Sequence, residues 1–174
     1  MKKAKPSKPS GEARHRHRRR FGRSQDPQVE DPYRQQAKPR EATLCPGCGA
    51  VYQAGRWRWA EPPASAHEAF CPACHRIKDN FPAGVVTLAG DFLAPHRAEI
   101  VNLARNLEEQ EKAEHPLHRI MAIEEPAGGL VINTTDIHLP RRIGEALHNA
   151  YRGDLDFHYD EAGYFIRVNW KRGA

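Results

Sequence analysis

The sequence predicts an α+β chain in three parts. Residues 1–40 read as a disordered basic tail and residues 41–82 as a four-cysteine ribbon. Residues 83–174 read as a ferredoxin-like βαββαβ(β) two-layer sandwich. Three observations predict this. Charge is segregated: residues 1–40 hold 13 Lys/Arg and 4 Asp/Glu, while the rest hold 14 and 18. All four cysteines fall in two CxxC pairs. Sustained apolar periodicity is confined to the C-terminal part, where strand-like and helix-like stretches alternate.

The tail has almost no aliphatic residues and is rich in Lys, Arg, Pro, Ser and Gln. Such a segment cannot bury enough apolar surface to offset its chain entropy. Its charge centre holds Arg14, Arg16, Arg18, Arg19 and Arg20. Clustered arginines are drawn to phosphate backbones by counterion release, independently of base sequence. The competing reading is a solubilising tail. Across the whole chain, 39% of residues are hydrophobic and 28% charged. No run approaches the roughly 18 apolar residues of a membrane span. The basic N-terminus is not followed by the apolar stretch of an export signal. The expected location is the cytoplasm, with no membrane partner.

In the ribbon, Cys45-Pro46-Gly47-Cys48 and Cys71-Pro72-Ala73-Cys74 are separated by 22 residues. A C-x2-C spacing lets two thiolates meet one cation across a tight turn, and Gly49 relieves the backbone behind the first pair. With each pair placed at a hairpin tip, Cys45, Cys48, Cys71 and Cys74 form a tetrahedral thiolate shell. Zn2+ suits four soft ligands with no open position, so the expected role is structural. A disulfide framework would need an oxidising compartment. A thioredoxin-like redox pair would sit at one βα junction, and an iron–sulfur centre is not singled out by two pairs alone. The deaminase pattern fails because Leu44 and Phe70 stand where proline should precede the cysteines, and no H-x-E is present. His75 is a substitute ligand, although a residue at that place more often does not ligate.

Between the pairs, Val51–Trp59 reads as a strand with Trp57 and Trp59 on one face and Arg56 and Arg58 on the other. Arginines interleaved with aromatics suit RNA, whose phosphates and bases they contact. The plainer reading has Trp57 or Trp59 packing the ribbon against the α/β domain while the arginines are solvated.

The C-terminal part starts with a strand near Val85–Ala89. A helix from about Pro95 to Lys112 follows, with the stripe Ile100, Leu103, Ala104, Leu107. A strand near Leu117–Glu124, a Pro/Gly turn, and a strand near Leu130–Thr134 come next. Thr135 or Asp136 would cap a second helix that ends near Tyr151, with Gly153 beyond it. Its stripe is Leu139, Ile143, Leu147, Ala150 and Tyr151. In the two last strands, Leu155, Phe157 and Tyr159, then Tyr164, Ile166, Val168 and Trp170, alternate with more polar neighbours. The order βαββαββ is a ferredoxin-like unit plus one hairpin strand, with both helices on one face of an antiparallel sheet.

Off the second helix's apolar stripe lie His138, Arg141, Arg142, His148 and Arg152, either a phosphate-facing surface or a solvated face. The acidic Glu108, Glu109, Glu111 and Glu114 on the first helix would pair with a basic protein surface or simply be solvated. Asp156, His158 and Asp160 share one side of a strand and form a second-metal candidate, though a solvated sheet face is commoner. There is no Walker A, GxGxxG or GxSxG pattern, and nothing commits the chain to catalysis.

CPGCGAVYQAGRW at 45–57, CPACHRI at 71–77 and GLVINTTDIHLPRRIGEALHNAYRGDLDFHYD at 129–160 carry a resemblance. This stretch resembles bacterial zinc-ribbon proteins similar to the large-ribosomal-subunit export adaptor family named for nonsense-mediated mRNA decay. That family binds zinc through CxxC pairs and attaches to the large ribosomal subunit. The resemblance covers roughly 45–170 and implies zinc held by Cys45, Cys48, Cys71 and Cys74, with a role in ribosome stability or mRNA decay. The chain carries one four-cysteine set and none of the family's further ribosome-contacting domains, so the implied role is RNA or ribosome association and not export. The alternatives are a protein–protein adaptor working through the ribbon and acidic helix, and a small hydrolase-type enzyme.

Overall fold

The computed structural model describes Tyr33 and residues 38–174. The five arginines of the tail's charge centre lie outside the described residues. The fold is mixed α+β, with two sheets and three helices.

The first module starts with β1 (Thr43–Leu44), followed by a turn carrying the first cysteine pair. β2 (Val51–Gln53) and β3 (Arg56–Arg58) then form a hairpin. Ala54 and Gly55 both have positive φ (51° and 77°), which matches the right-handed twist of a two-residue hairpin loop. β4 (His67–Glu68) lies parallel to β1, and the sheet order is β3-β2-β1-β4.

The second cysteine pair is not at a hairpin tip, as the spacing had suggested. It starts helix α1 (Pro72–Asp79). The reason is local. Cys71 is the N-cap, Pro72 occupies the first turn, where its missing N–H costs nothing, and Asn80 closes the helix in the left-handed region at φ 51°.

The second module runs β5 (Gly84–Ala89), α2 (Leu93–Glu114), β6 (Ile120–Glu124), β7 (Gly129–Thr134), α3 (His138–Tyr151), β8 (Asp154–Tyr159) and β9 (Ile166–Lys171). The element order is the expected βαββαββ. The sheet order is β6-β7-β5-β9-β8, and β9 pairs with β5 in parallel. A ferredoxin-like sheet would seat the strand after α3 against β5 and stay antiparallel. Here that strand, β8, is pushed to the edge and the last strand, β9, takes the place beside β5. Burial accounts for the exchange. Ile166, Val168 and Trp170 of β9 are fully buried, whereas β8 offers half-buried Leu155 and Phe157 and exposed Tyr159. The more apolar strand stabilises the fold most where a neighbour lies on each side.

The main core lies between this sheet and the helices. It joins Val86, Leu88, Leu130, Ile132, Ile166, Val168 and Trp170 to Ile100 and Ala104 of α2 and Leu139, Ile143 and Leu147 of α3. Gly144 lets α3 approach closely, since a Cβ there would come within 2.7 Å of Val168 Cγ1. The N-cap position of α3 falls on Ile137, one residue past the expected Thr135 or Asp136, yet Asp136 Oδ2 still accepts the His138 and Leu139 amides at 2.6 and 3.0 Å. Thr135 is used elsewhere, as described below.

Candidate metal centre

Three pieces of chain bring the four cysteines together. The turn after β1 presents Cys45 and Cys48; Cys45 N donates to Ala50 O and Gly49 N to Cys45 O, both at 2.8 Å. Gly49, at φ 79°, supplies the reversal this turn needs. The N-terminus of α1 presents Cys71 and Cys74. All four Sγ atoms lie within 4.8 Å of one another, and Cys48 and Cys71 are 3.8 Å apart. The edge of a tetrahedron with metal–sulfur bonds of about 2.3 Å is about 3.8 Å. The cluster therefore has the donors and the spacing to hold a metal ion. Cys45 and Cys71 are completely buried and Cys74 nearly so.

N–H groups point at the sulfurs. Cys71 N donates to Cys45 Sγ at 3.2 Å and Cys74 N to Cys71 Sγ at 3.4 Å. Two more come from outside the module: Arg119 donates through Nη1 to Cys74 Sγ at 3.4 Å and through Nη2 to Cys71 Sγ at 3.5 Å. Burial pushes the Cys71 and Cys74 thiols up, and at Cys74 the Arg119 guanidinium works against it. Burial also acts on Cys45, but the amides of Cys71 and Gly47 outweigh it and bring the thiol down to about 7. Burial likewise opposes charge on Arg119, yet hydrogen bonding to Cys74 raises its pKa and keeps it a cation.

Arg119 gives no signal in the sequence, because it stands 45 residues after Cys74 at the head of an unremarkable strand. The structure pins it. Its Nε donates to Pro116 O at 2.7 Å, its backbone N to Thr135 Oγ1 at 3.0 Å, and Thr135 N donates to Arg119 O at 3.0 Å. Trp59 adds a second tie between the modules, its Nε1 donating to Lys112 O at 2.6 Å near the end of α2. Leu117 packs against the buried cluster around the cysteines.

The other candidate residues are dispersed. His75 is exposed against Phe70, outside the sulfur cluster. Trp57 is buried edge-on to Tyr52 inside the metal module, while the tie to the second module comes from Trp59. Arg56 is exposed and Arg58 half-buried. With Trp59 and His115 they line an open groove of about 720 Å³ between β3 and the end of α2. Arg141 pairs with Glu145 at 2.8 Å, and Arg142 pairs with Glu111. Of the acidic stretch on α2, Glu111 is buried and also bonds His118 at 3.0 Å, while Glu108 accepts from Arg105 at 2.9 Å and the Ile120 amide at 2.8 Å. His158 bonds Asp156 at 2.6 Å, but Asp160 turns away to accept the Tyr164 and Phe165 amides. That trio therefore gathers no shared ligand set.

No family model, curated protein or solved structure matches the chain. Among the described residues no helix is long and apolar enough to cross a membrane.

Proposed function

We propose that the chain is a non-enzymatic, zinc-stabilised RNA-binding protein of the cytoplasm. It associates with the ribosome, through the large subunit, and influences ribosome stability or mRNA turnover. Zinc is the metal because four soft thiolates complete a tetrahedron and leave no position for water or substrate. The ion stiffens the module and does no chemistry.

One observation carries the RNA reading: Tyr33, a residue of the basic segment, rests on the helix that the second cysteine pair starts. Tyr33 OH donates to Asp79 Oδ2 at 3.0 Å, and the Tyr33 ring lies 4.6 Å from the Arg76 guanidinium and 5.4 Å from Phe81. Arg76 and Asp79 belong to α1, the helix that starts at Cys71. The segment 1–40, with a net charge of +9, is thus tied through Tyr33 to α1 at the end away from Cys71. The resemblance to zinc-ribbon ribosome-binding proteins supports the same reading. Arg56 and Arg58, at the rim of the groove beside β3, extend the basic surface. Arg141 and Arg142 contribute less, since each is already neutralised by a glutamate.

Sedimentation tests this. The full chain is run with ribosomes at low salt, beside a variant with Arg14, Arg16, Arg18, Arg19 and Arg20 all replaced by Gln. The wild type is expected in the heavy fractions and leaves them as salt rises. Each lost phosphate contact lowers the salt slope by about 0.7 to 0.9. Wild-type protein that stays in the light fractions refutes the ribosomal role. A variant that sediments like the wild type removes the tail as anchor and favours a protein–protein adaptor.

A further inference from the structure

The metal module sets its own sulfurs but not its own charge balance. A divalent ion in four thiolates carries a net charge of −2. Of the four cysteines, Cys45 and Cys71 are completely buried, Cys74 is nearly so and Cys48 is half-buried, with Ala73 and Tyr52 packed in the same cluster. A charge held in such surroundings without a counter-ion is costly. Among the described residues, no cationic side chain other than Arg119 bonds a sulfur.

We propose that Arg119 is the counter-cation of the metal centre, supplied by the second module, so that metal loading and docking of the two modules are one event. The proposal rests on the metal reading above. Arg119 is itself 7% exposed. Its planar fork reaches the sulfurs of both α1 cysteines at once, at 3.4 and 3.5 Å, a geometry that a lysine ammonium cannot copy.

The position of the fork is decided far from the cysteines. Arg119 immediately precedes β6, and its amide and carbonyl are locked to Thr135, just after β7. Thr135 Oγ1 also donates to Leu117 O at 2.6 Å, which braces the same turn. The five-stranded sheet therefore delivers a positive charge to the cluster only when the two modules are docked. Linkage makes this reciprocal: if docking tightens the metal, the metal tightens docking by the same factor. Arg119 is a positioning residue here. It touches the ligands and would not touch the ion.

The test uses the full chain with Arg119→Met, which keeps most of the stem and removes the charge, and Arg119→Lys, which keeps the charge and loses the fork. Zinc affinity is measured by competition with a chromophoric chelator. Cobalt substitution reports the donor set through its thiolate charge-transfer bands. Hydrogen exchange is followed at Arg119 and Thr135 with and without metal. The Met variant is expected to lose about 10- to 100-fold in zinc affinity, the usual effect of removing an outer-shell partner, while keeping a four-sulfur cobalt spectrum. The Lys variant should recover part of the loss. In the wild type, chelation should speed exchange at Arg119 and Thr135. In the Met variant those amides should exchange alike with and without metal.

A Met variant that holds zinc as tightly as the wild type overturns the proposal. So does wild-type exchange at Arg119 and Thr135 that ignores the metal, a measurement that needs no variant to fold. A wild type that takes up no zinc or cobalt fails earlier and refutes the metal reading itself.

Discussion

Stripping the metal should melt one module and spare the other. With the ion gone, Cys48 and Cys71 are left 3.8 Å apart. Two thiolates at that distance repel by about 4 kcal/mol at an effective dielectric constant of about 20. Protonation relieves the repulsion, but it also weakens the acceptors that hold the Cys71 and Cys74 amides and the Arg119 fork. Little else replaces the lost cohesion. The large side chains buried in this module are Val51, Tyr52 and Trp57, each contributing on the order of 1.5–3 kcal/mol. A structural zinc site supplies about 10–16 kcal/mol in small domains. The second module keeps its own core around Val86, Ile132, Ile143 and Trp170. Hydrogen-exchange mass spectrometry of the full chain, before and after chelation, reads both outcomes. Peptides across 43–79 should lose protection, while β5, β7 and β9 keep theirs. If 43–79 stays protected after metal analysis shows the ion gone, the hairpin and helix fold without it and the structural role assigned to the metal is wrong.

Three further outcomes follow from single features. Metal affinity should rise steeply with pH, because the raised Cys71 and Cys74 thiols hold protons at neutral pH that the ion must displace. Two released protons mean about 100-fold per pH unit, and calorimetry in buffers of different ionisation enthalpy counts them. Gly84→Ala should destabilise the second module by about 1–3 kcal/mol in urea melts while leaving metal content unchanged, because its Cβ would stand 2.4 Å from Pro140 Cγ and 2.9 Å from Ile166 Cγ2. Trp59→Phe should cost about 0.5–1.5 kcal/mol through the lost bond to Lys112 O; RNA affinity measured by anisotropy should be unaltered, whereas a large loss would mean that the indole stacks a base.

The gathering of the four cysteines is the most legible part of the chain, because CxxC spacing sets two sulfurs within reach of one point, although the helical setting of the second pair is not. The helices were almost as clear. Of the expected stripe on α3, Leu139, Ile143 and Leu147 are buried, Tyr151 is half-buried and Ala150 is exposed, and α2 departs from expectation at its ends, Leu93–Glu114. Helix α1 was missed although its signals were present: Pro72 in the first turn and Asn80 at the close. At eight residues, with His, Arg and Lys among them, it lacks an apolar stripe long enough to stand out. The place of β9 was also written in the chain. Its alternation of Ile166, Val168 and Trp170 is more apolar than that of β8, and this marks a strand flanked on both sides. A list of elements does not reveal that, because order within a sheet depends on the competition between strands. Arg119 was beyond reach, since a pairing across 45 residues leaves no periodic trace.

The parallel pairing of β9 with β5 has a consequence for how the protein is made. Residues 84–89 meet 166–171 across most of the second module's length. During translation β5 emerges early and can zip to β7, but its other flank lies bare until some eighty residues later. Over that interval a half-built sheet offers an open row of amides and carbonyls to any neighbouring nascent chain. Closing so distant a contact is also slow. Synthesis is therefore a stage at which this molecule is exposed to misassembly, until the last strand arrives to cover the open flank of β5.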